Sequence, residues 1–194
     1  MGKILAVYGS PRLHGNTSTL LSHVVRGARE SGAEVEEIHL RKLDISPCLE
    51  IYACRDTGRC VIQDDFQPLY EKLLACDALM LSSPVFFYTV SAHTKIFMDR
   101  CQSLWAKKYL LEKSPFGIRQ PARKALFLSA GATGGQKLFD GILLSVKYFL
   151  DTLDMELWKS LLYRRLDGPR DVSDHPDFIE EAYGAGREFA QKIR

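Results

Sequence analysis

Ten residues near the start of the chain, Gly9 to Ser18 (GSPRLHGNTS), gather groups suited to holding an anion. They supply hydroxyls at Ser10, Thr17 and Ser18, an amide at Asn16 and a guanidinium at Arg12. The segment lies between an apolar run, Lys3 to Tyr8, and an amphipathic stretch from about Thr17, so it is expected to turn from a strand into a helix N-terminus. At such a turn several backbone N–H groups converge with the positive end of the helix dipole, which suits a phosphate.

Two common phosphate motifs fail against this loop. A G-x4-G-K-[ST] loop needs a different spacing, since five residues separate Gly9 from Gly15 and Asn16 stands at the lysine position. The G-x-G-x-x-G fingerprint is also missing from the segment. Hydrogen bonds to a charged group contribute about 1.5 to 3 kcal/mol each and the helix dipole about 0.3 to 1, so the specific donors decide what binds. One arginine and no lysine suit a terminal monophosphate better than a triphosphate with its magnesium.

The elements that must position this loop follow from hydrophobic periodicity. Strands are expected at Ile4 to Tyr8, Val35 to Leu40, Ala78 to Ser83, Ala125 to Ser129 and Glu156 to Leu162. Helical spacing links Leu20, Leu21, Val24, Val25 and Ala28, with Gly32 placed to stop that helix. Further helices are expected around Phe66 to Leu74, Ala92 to Arg100, Leu138 to Leu150 and Pro176 to Phe189, with Pro176 suited to a first turn. Strands that are nearly all apolar and alternate with helices imply a mostly parallel, doubly wound α/β sheet covered on both faces. Ligands of such sheets bind beyond the strand carboxyl ends, so the loops after the first, third and fourth strands should converge. The longest irregular stretch is expected at Lys107 to Lys124.

With 194 residues, 46% of them hydrophobic, the chain suits one well-buried domain, 1–194, with no internal repeat or linker. The 26 basic residues nearly balance the 24 acidic ones, and a net charge of +2 gives no general reason to bind nucleic acid or an acidic membrane. No run approaches the roughly 18 apolar residues of a membrane span, and strand pattern begins at once, so a cytoplasmic location is expected. Five cysteines argue against a disulfide framework, and Cys76 and Cys101 read as buried small hydrophobes.

The loop GSPRLHGNTS, the later SSPVFFYTVSAHTKIFMDR and the order of elements resemble the NADPH-dependent FMN reductase family, of flavodoxin-like fold, over nearly the whole chain. The resemblance implies a five-stranded parallel sheet in the order 2-1-3-4-5, bound FMN and NAD(P)H as co-substrate. It places the FMN phosphate on Ser10, Arg12, Asn16, Thr17 and Ser18, and the isoalloxazine ring along Pro84, Val85, Phe86, Phe87 and Tyr88. A flavin needs an apolar or aromatic wall and backbone donors, which such a loop supplies; its competing reading is an aromatic turn belonging to the core. The third loop, Ser129 to Gln136, carries three glycines that let backbone approach a flat ligand, with Ser129, Ala130 and Gly131 as cofactor-binding candidates.

The segment PCLEIYACRDTGRC resembles the cysteine cluster of the related iron-sulfur flavoproteins, whose pattern is C-x2-C-x2-C and a later fourth cysteine. Cys48, Cys54 and Cys60 match it, but Ile51 occupies the second position and cannot ligate iron. A four-iron cluster takes four thiolates and the spacing is poor for zinc, so a metal-free loop near the flavin edge is expected.

Asp64 and Asp65 are expected to cap a helix, and Lys95, Asp99 and Arg100 to meet along one helix side as ion pairs. The five histidines share no metal-ligand spacing. The expected activity is FMN-dependent NAD(P)H oxidation with a small electron acceptor, in which the cofactor carries the chemistry and no side chain is assigned as catalytic. Two other readings are a flavodoxin-like electron carrier and an iron-sulfur flavoprotein-type electron-transfer protein; a third is a flavin-free binding module. The resemblance also implies a homodimer or homotetramer, with the aromatic, basic stretch Trp105 to Arg123 as a contact.

Overall fold

Strand β1 (Lys3–Tyr8) shows how an apolar run becomes the centre of a sheet. Its Leu5 and Val7 enter one hydrophobic cluster, and Ile4, Ala6 and Tyr8 enter another on the opposite face. Four more strands, β2 (Glu34–His39), β3 (Ala78–Pro84), β4 (Arg123–Gly131) and β5 (Met155–Arg164), complete a parallel sheet with it in the order β2-β1-β3-β4-β5. This is a computed structural model, and it describes residues 2–193.

Five longer helices alternate with the strands: α1 (Asn16–Glu30), α2 (Phe66–Ala75), α3 (Ala92–Arg100), α4 (Asp140–Thr152) and α5 (Pro176–Lys192). The apolar faces of α1 and α5 fill one cluster, and those of α2, α3 and α4 the other. The flavodoxin-like, doubly wound arrangement is therefore as expected. Gly32, at φ +88°, turns the chain away after α1, as its position suggested. Cys76 and Cys101 are both buried, and burial pushes the Cys76 thiol up to about 11.

Two expectations need correction. β4 begins at Arg123 and runs to Gly131, longer at both ends than its apolar core, because it is hydrogen-bonded to β3 and β5 on its two sides. The stretch from Lys107 is not irregular at its start: Ala106–Leu111 forms a π-helical turn. Lys108 lies inside it, its buried Nζ donating to the carbonyls of Gly117 (2.7 Å) and Asp151 (2.5 Å) and pairing with Asp154 at 2.6 Å. No helix is long and apolar enough to cross a membrane among the described residues.

β1 is flanked by β2 on one side and β3 on the other, so the chain reverses its winding direction between them. The loops leaving β1 and β3 thus border the crevice where a ligand of this fold sits.

Candidate functional site

The loop after β1 is built around its own polar groups. The Arg12 N–H donates to Ser10 Oγ at 3.0 Å, and Ser18 Oγ donates back to the Arg12 carbonyl at 2.8 Å, closing the turn over the start of α1. Gly15 occupies the N-cap position and no side chain caps the helix. The N–H groups of Asn16, Thr17 and Ser18 thus lack the intrahelical carbonyls that later residues enjoy. The exposed Arg12 guanidinium has no hydrogen-bond or ion-pair partner among the described residues.

The loop is locked to its neighbours at Gly9. Its N–H donates to the Ser82 carbonyl at 2.8 Å, and its own carbonyl accepts from Ser91 Oγ at 2.5 Å, where Ser91 also caps α3. A Cβ at position 9 would stand 1.9 Å from Thr94 Oγ1 and 2.5 Å from the Ser82 carbonyl oxygen, so only glycine fits.

Asn16 lines the cleft, and its amide also reaches the loop after β5. Its Nδ2 donates to the Gly168 carbonyl at 2.8 Å and its Oδ1 accepts the Val172 N–H at 3.1 Å. The amide ties the loop after β5 to the start of α1 with one of its two Nδ2 hydrogens and with its Oδ1, which leaves the backbone N–H and one Nδ2–H of this residue for an anion.

The loops after β3 and β4 are tied by a hydrogen bond from the Val85 N–H to the Ala130 carbonyl, 2.9 Å. Together with the first loop they enclose a cleft of about 400 Å³. Of the residues named from the sequence, Ser10, Arg12, Asn16, Thr17, Pro84, Val85, Phe86, Ala130 and Gly131 line it. Ser18, Phe87, Tyr88 and Ser129 stand outside that lining. Ser18 shapes the loop as described, and the buried Ser129 Oγ donates to the Ser83 carbonyl at 2.8 Å.

Phe87 and Tyr88 form the tip of a tight turn closed by Phe86 and Thr89, whose backbones bond each other at 2.9 and 3.0 Å. Both tip residues are left-handed, at φ +48° and +62°, a pattern that glycine and asparagine ordinarily supply. Phe87 is 98% exposed, so the turn is no part of the core. Leu166 and Asp167, beyond β5, also line the cleft and were missed from sequence. The Asp-Gly-Pro turn at 167–169 was the available signal.

The cysteine loop lies elsewhere. Cys48, Cys54 and Cys60 border a separate hollow of about 30 Å³ with Ile51, and none of them is among the residues lining the cleft. Burial raises the Cys54 thiol, and the neighbouring Cys60 and Cys48 sulfurs add to the rise. What anchors this loop is Arg100, which is fully buried and turns away from Lys95 and Asp99. Its guanidinium meets both Asp64 oxygens, at 2.5 and 3.1 Å, and donates to the carbonyls of Ser46 and Ile62. Lys95 and Asp99 pair as expected, at 2.5 Å. Asp64 does accept the Phe66 N–H at 3.0 Å at the start of α2, while Asp65 instead accepts the Asp44 N–H. Burial alone would raise the Asp64 carboxyl, yet the Arg100 guanidinium and the Ser46 and Phe66 N–H groups hold it below the usual carboxylate range.

Comparison with known proteins agrees with this geometry. Residues 2–141 match the family model of NADPH-dependent FMN reductases. An iron-sulfur flavoprotein of Methanocaldococcus jannaschii is 33% identical over 135 residues, which span 70% of this chain and 66% of that protein. A second, from Methanosarcina thermophila, is 30% identical over 70% of this chain and 67% of its own length. The chain thus spans about two thirds of the length of these relatives. Among solved structures, an NAD(P)H:quinone oxidoreductase from Methanothermobacter marburgensis superposes with a TM-score of 0.73 at 17% identity, covering 97% of this chain and 98% of that one.

The relatives' names raise the question of an iron-sulfur cluster. Ile51 stands where a thiolate is needed, and among the described residues no group of three or more His, Cys, Asp or Glu side chains is arranged to hold a metal ion. The residues present do not fit a four-iron cluster. The cleft does fit a flavin phosphate and ring: unpaired N–H groups and a free guanidinium stand at one end, and an apolar wall of Pro84, Val85 and Phe86 at the other. Fold, cleft and sequence match coincide, and the chain belongs to the NADPH-dependent FMN reductase family.

Proposed function

We propose that this chain is an FMN-dependent NAD(P)H oxidoreductase that passes electrons from a reduced nicotinamide, through bound FMN, to a small acceptor such as a quinone or free flavin. The reading rests above all on one cleft that joins an anion-binding helix N-terminus to an apolar wall at the switch point of the sheet. FMN supplies the hydride and electron chemistry when bound. The chain's own residues bind, orient and exclude water. Ser10, Arg12, Thr17 and the N–H groups of Asn16 to Ser18 hold the phosphate; Pro84, Val85, Phe86, Ala130 and Gly131 cover the ring. Asn16 orients the wall formed by Leu166 and Asp167 through its amide, one Nδ2–H of which stays available to the phosphate. No side chain in the cleft is needed as an acid or base.

Oligomerisation to a homodimer or homotetramer is part of the same reading, supported by the exposed apolar side chains of Phe87, Tyr88, Phe116, Leu144 and Tyr148. So are a single FMN-binding domain over 1–194 and a cytoplasmic location. The deciding experiment measures FMN content and NAD(P)H oxidation with a quinone or ferricyanide as acceptor. A yellow protein that turns over is expected. A flavin-loaded protein that oxidises neither nicotinamide is an electron carrier instead, and stoichiometric iron with acid-labile sulfide overturns the metal-free reading of the cysteine loop.

A further inference from the structure

The chain leaving β5 lays two successive arginines against the loop after β4, next to Leu166 and Asp167 of the cleft lining, and the fold uses them differently. Arg164 is committed to structure. Its guanidinium donates to the carbonyls of Gly135 (3.3 Å) and Gln136 (3.4 Å) and lies 4.9 Å over the Phe139 ring. Arg165 lies across the same glycine loop, its Nε 3.1 Å from where a Cβ on Gly134 would stand, so glycine there leaves room for it. Yet the exposed Arg165 side chain has neither a hydrogen bond nor an ion pair with any described residue.

The backbone at Arg165 is strained. It is left-handed, φ +62°, and held there by its own N–H to the Thr133 carbonyl (3.4 Å) and by the Leu166 N–H to the Gly131 carbonyl (3.2 Å). The left-handed conformation is unfavourable for a non-glycine residue, and such strain persists where surrounding contacts impose it and often where function uses it. Here it folds an unpaired guanidinium back over the loop that borders the cleft. Immediately inside, the charge is opposite: Asp167 lines the cleft, and Asp171 accepts the N–H groups of Asp167 (2.8 Å) and Gly168 (2.6 Å). The exposed charge beside this wall is thus positive, and the one in its lining negative.

We propose that Arg165 receives a phosphate group of the reduced nicotinamide dinucleotide and is a specificity-determining residue for that co-substrate. The inference rests on the FMN-dependent reading above. A dinucleotide that lays its nicotinamide over a flavin in the cleft must carry its phosphates outward, towards the rim. The planar guanidinium fork matches phosphate oxygens in pairs, and this one has no competing partner. The flavin's own phosphate has its donors on a different wall, at Ser10 to Ser18. Arg164 acts as a positioning residue, holding the loop on which Arg165 rests.

The test uses the FMN-loaded protein, its Arg165→Gln variant, and Arg187→Gln as an equal loss of charge on the exposed side of α5. Two redox-inert probes are titrated by calorimetry: adenosine 2′,5′-bisphosphate, which carries the 2′-phosphate, and ADP-ribose, which carries the pyrophosphate. KM and kcat are measured for NADPH and NADH. Loss of one charge-assisted contact at an exposed site predicts about tenfold weaker probe binding and a similar rise in KM, with kcat and FMN affinity unchanged. Arg187→Gln is expected to match wild type. A loss confined to NADPH and the bisphosphate places the 2′-phosphate on Arg165; equal losses for NADPH, NADH and ADP-ribose place the pyrophosphate there. The proposal is overturned if wild type binds neither probe, if Arg165→Gln binds both as wild type does, or if its defect is a fall in FMN affinity. A wild-type protein that carries FMN yet oxidises neither nicotinamide refutes the function proposed above, while the probe titrations still decide the fate of Arg165.

Discussion

Asn16 and Arg12 sit four residues apart in one phosphate-binding loop, yet the structure gives them separable jobs. Asn16 holds the loop after β5 through two hydrogen bonds, to the Gly168 carbonyl at 2.8 Å and from the Val172 N–H at 3.1 Å. A hydrogen bond of this kind contributes about 0.5 to 1.5 kcal/mol net, and these groups are only partly buried, so water replaces some of the loss. Asn16→Ala is therefore expected to destabilise the flavin-free protein by about 2 kcal/mol, mostly as a shift in urea midpoint at unchanged slope. Arg12 has no partner within the described protein, so Arg12→Ala is expected to leave that midpoint within about 0.5 kcal/mol of wild type. FMN titration followed by quenching of flavin fluorescence reverses the ranking. Arg12→Ala loses a charge-assisted contact and weakens FMN by about tenfold or more, while Asn16→Ala weakens it only as far as the loosened wall allows. If instead Asn16→Ala is as stable as wild type and loses FMN as severely as Arg12→Ala, the amide grips the phosphate in solution and the clamp is not its job.

The strained aromatic turn and the buried ion pairs give two further tests. Replacing Phe87 by Asn and Tyr88 by Gly supplies the residues this turn geometry favours, and thermal unfolding should register about 1 to 2 kcal/mol of added stability. If the exposed rings serve subunit contact, the same variant shifts to a smaller species in analytical ultracentrifugation; an unchanged species returns the rings to a solitary surface feature. The Asp64 and Asp154 carboxyls are both held below their usual range against a burial that would raise them, Asp64 by Arg100 and Asp154 by Arg119 and Lys108. A lowered folded-state value stabilises above the unfolded value of about 3.9 and is lost as pH falls through the folded one. Asp64→Asn should cost about 3 kcal/mol at pH 7, since it leaves the buried Arg100 charge unpaired, and its deficit should narrow below about pH 4. Urea midpoints that run parallel for variant and wild type from pH 7 to pH 3 would sink this account.

Much of the fold is legible in the sequence because its determinants are local or periodic. The strand runs and the apolar stripe of α1 read directly from their spacing, and the glycines and hydroxyls of the first loop point to its turn. What escapes notice depends on partners far away along the chain. Lys108 looks like a surface lysine, yet its Nζ is satisfied by Gly117, Asp151 and Asp154, and that burial accompanies a helical turn at Ala106–Leu111, at the start of the stretch expected to be irregular. Arg100 reads as one more charge on a helix side, whereas Asp64, in a separate segment, draws it into the core. Asn16 reads as a phosphate ligand because nothing nearby competes for its amide; its partners lie at 168 and 172. Leu166 and Asp167 reach the cleft only because β5 runs beside β4 to Arg164, a register no local pattern announces.

These long-range contacts also bear on how tightly the cleft can hold its ligand. Its walls are joined to one another by hydrogen bonds within the protein, among them Gly9 to Ser82 and Ser91, Val85 to Ala130, Asn16 to Gly168 and Val172, and Arg164 to Gly135 and Gln136. A site braced in this way needs little ordering when a ligand enters, so less of the contact energy is lost to conformational entropy. Affinity then depends on the few groups left without partners, the N–H groups at the start of α1 and the Arg12 guanidinium. The aromatic tip at Phe87 and Tyr88 lies beyond those braces: the bonds between Phe86 and Thr89 close it, and the Tyr88 carbonyl and Thr89 Oγ1 rest on Gly141 and Ser145 of α4. The braced part of the cleft therefore answers to the cofactor, and the exposed rings of the turn beside it face whatever approaches from outside.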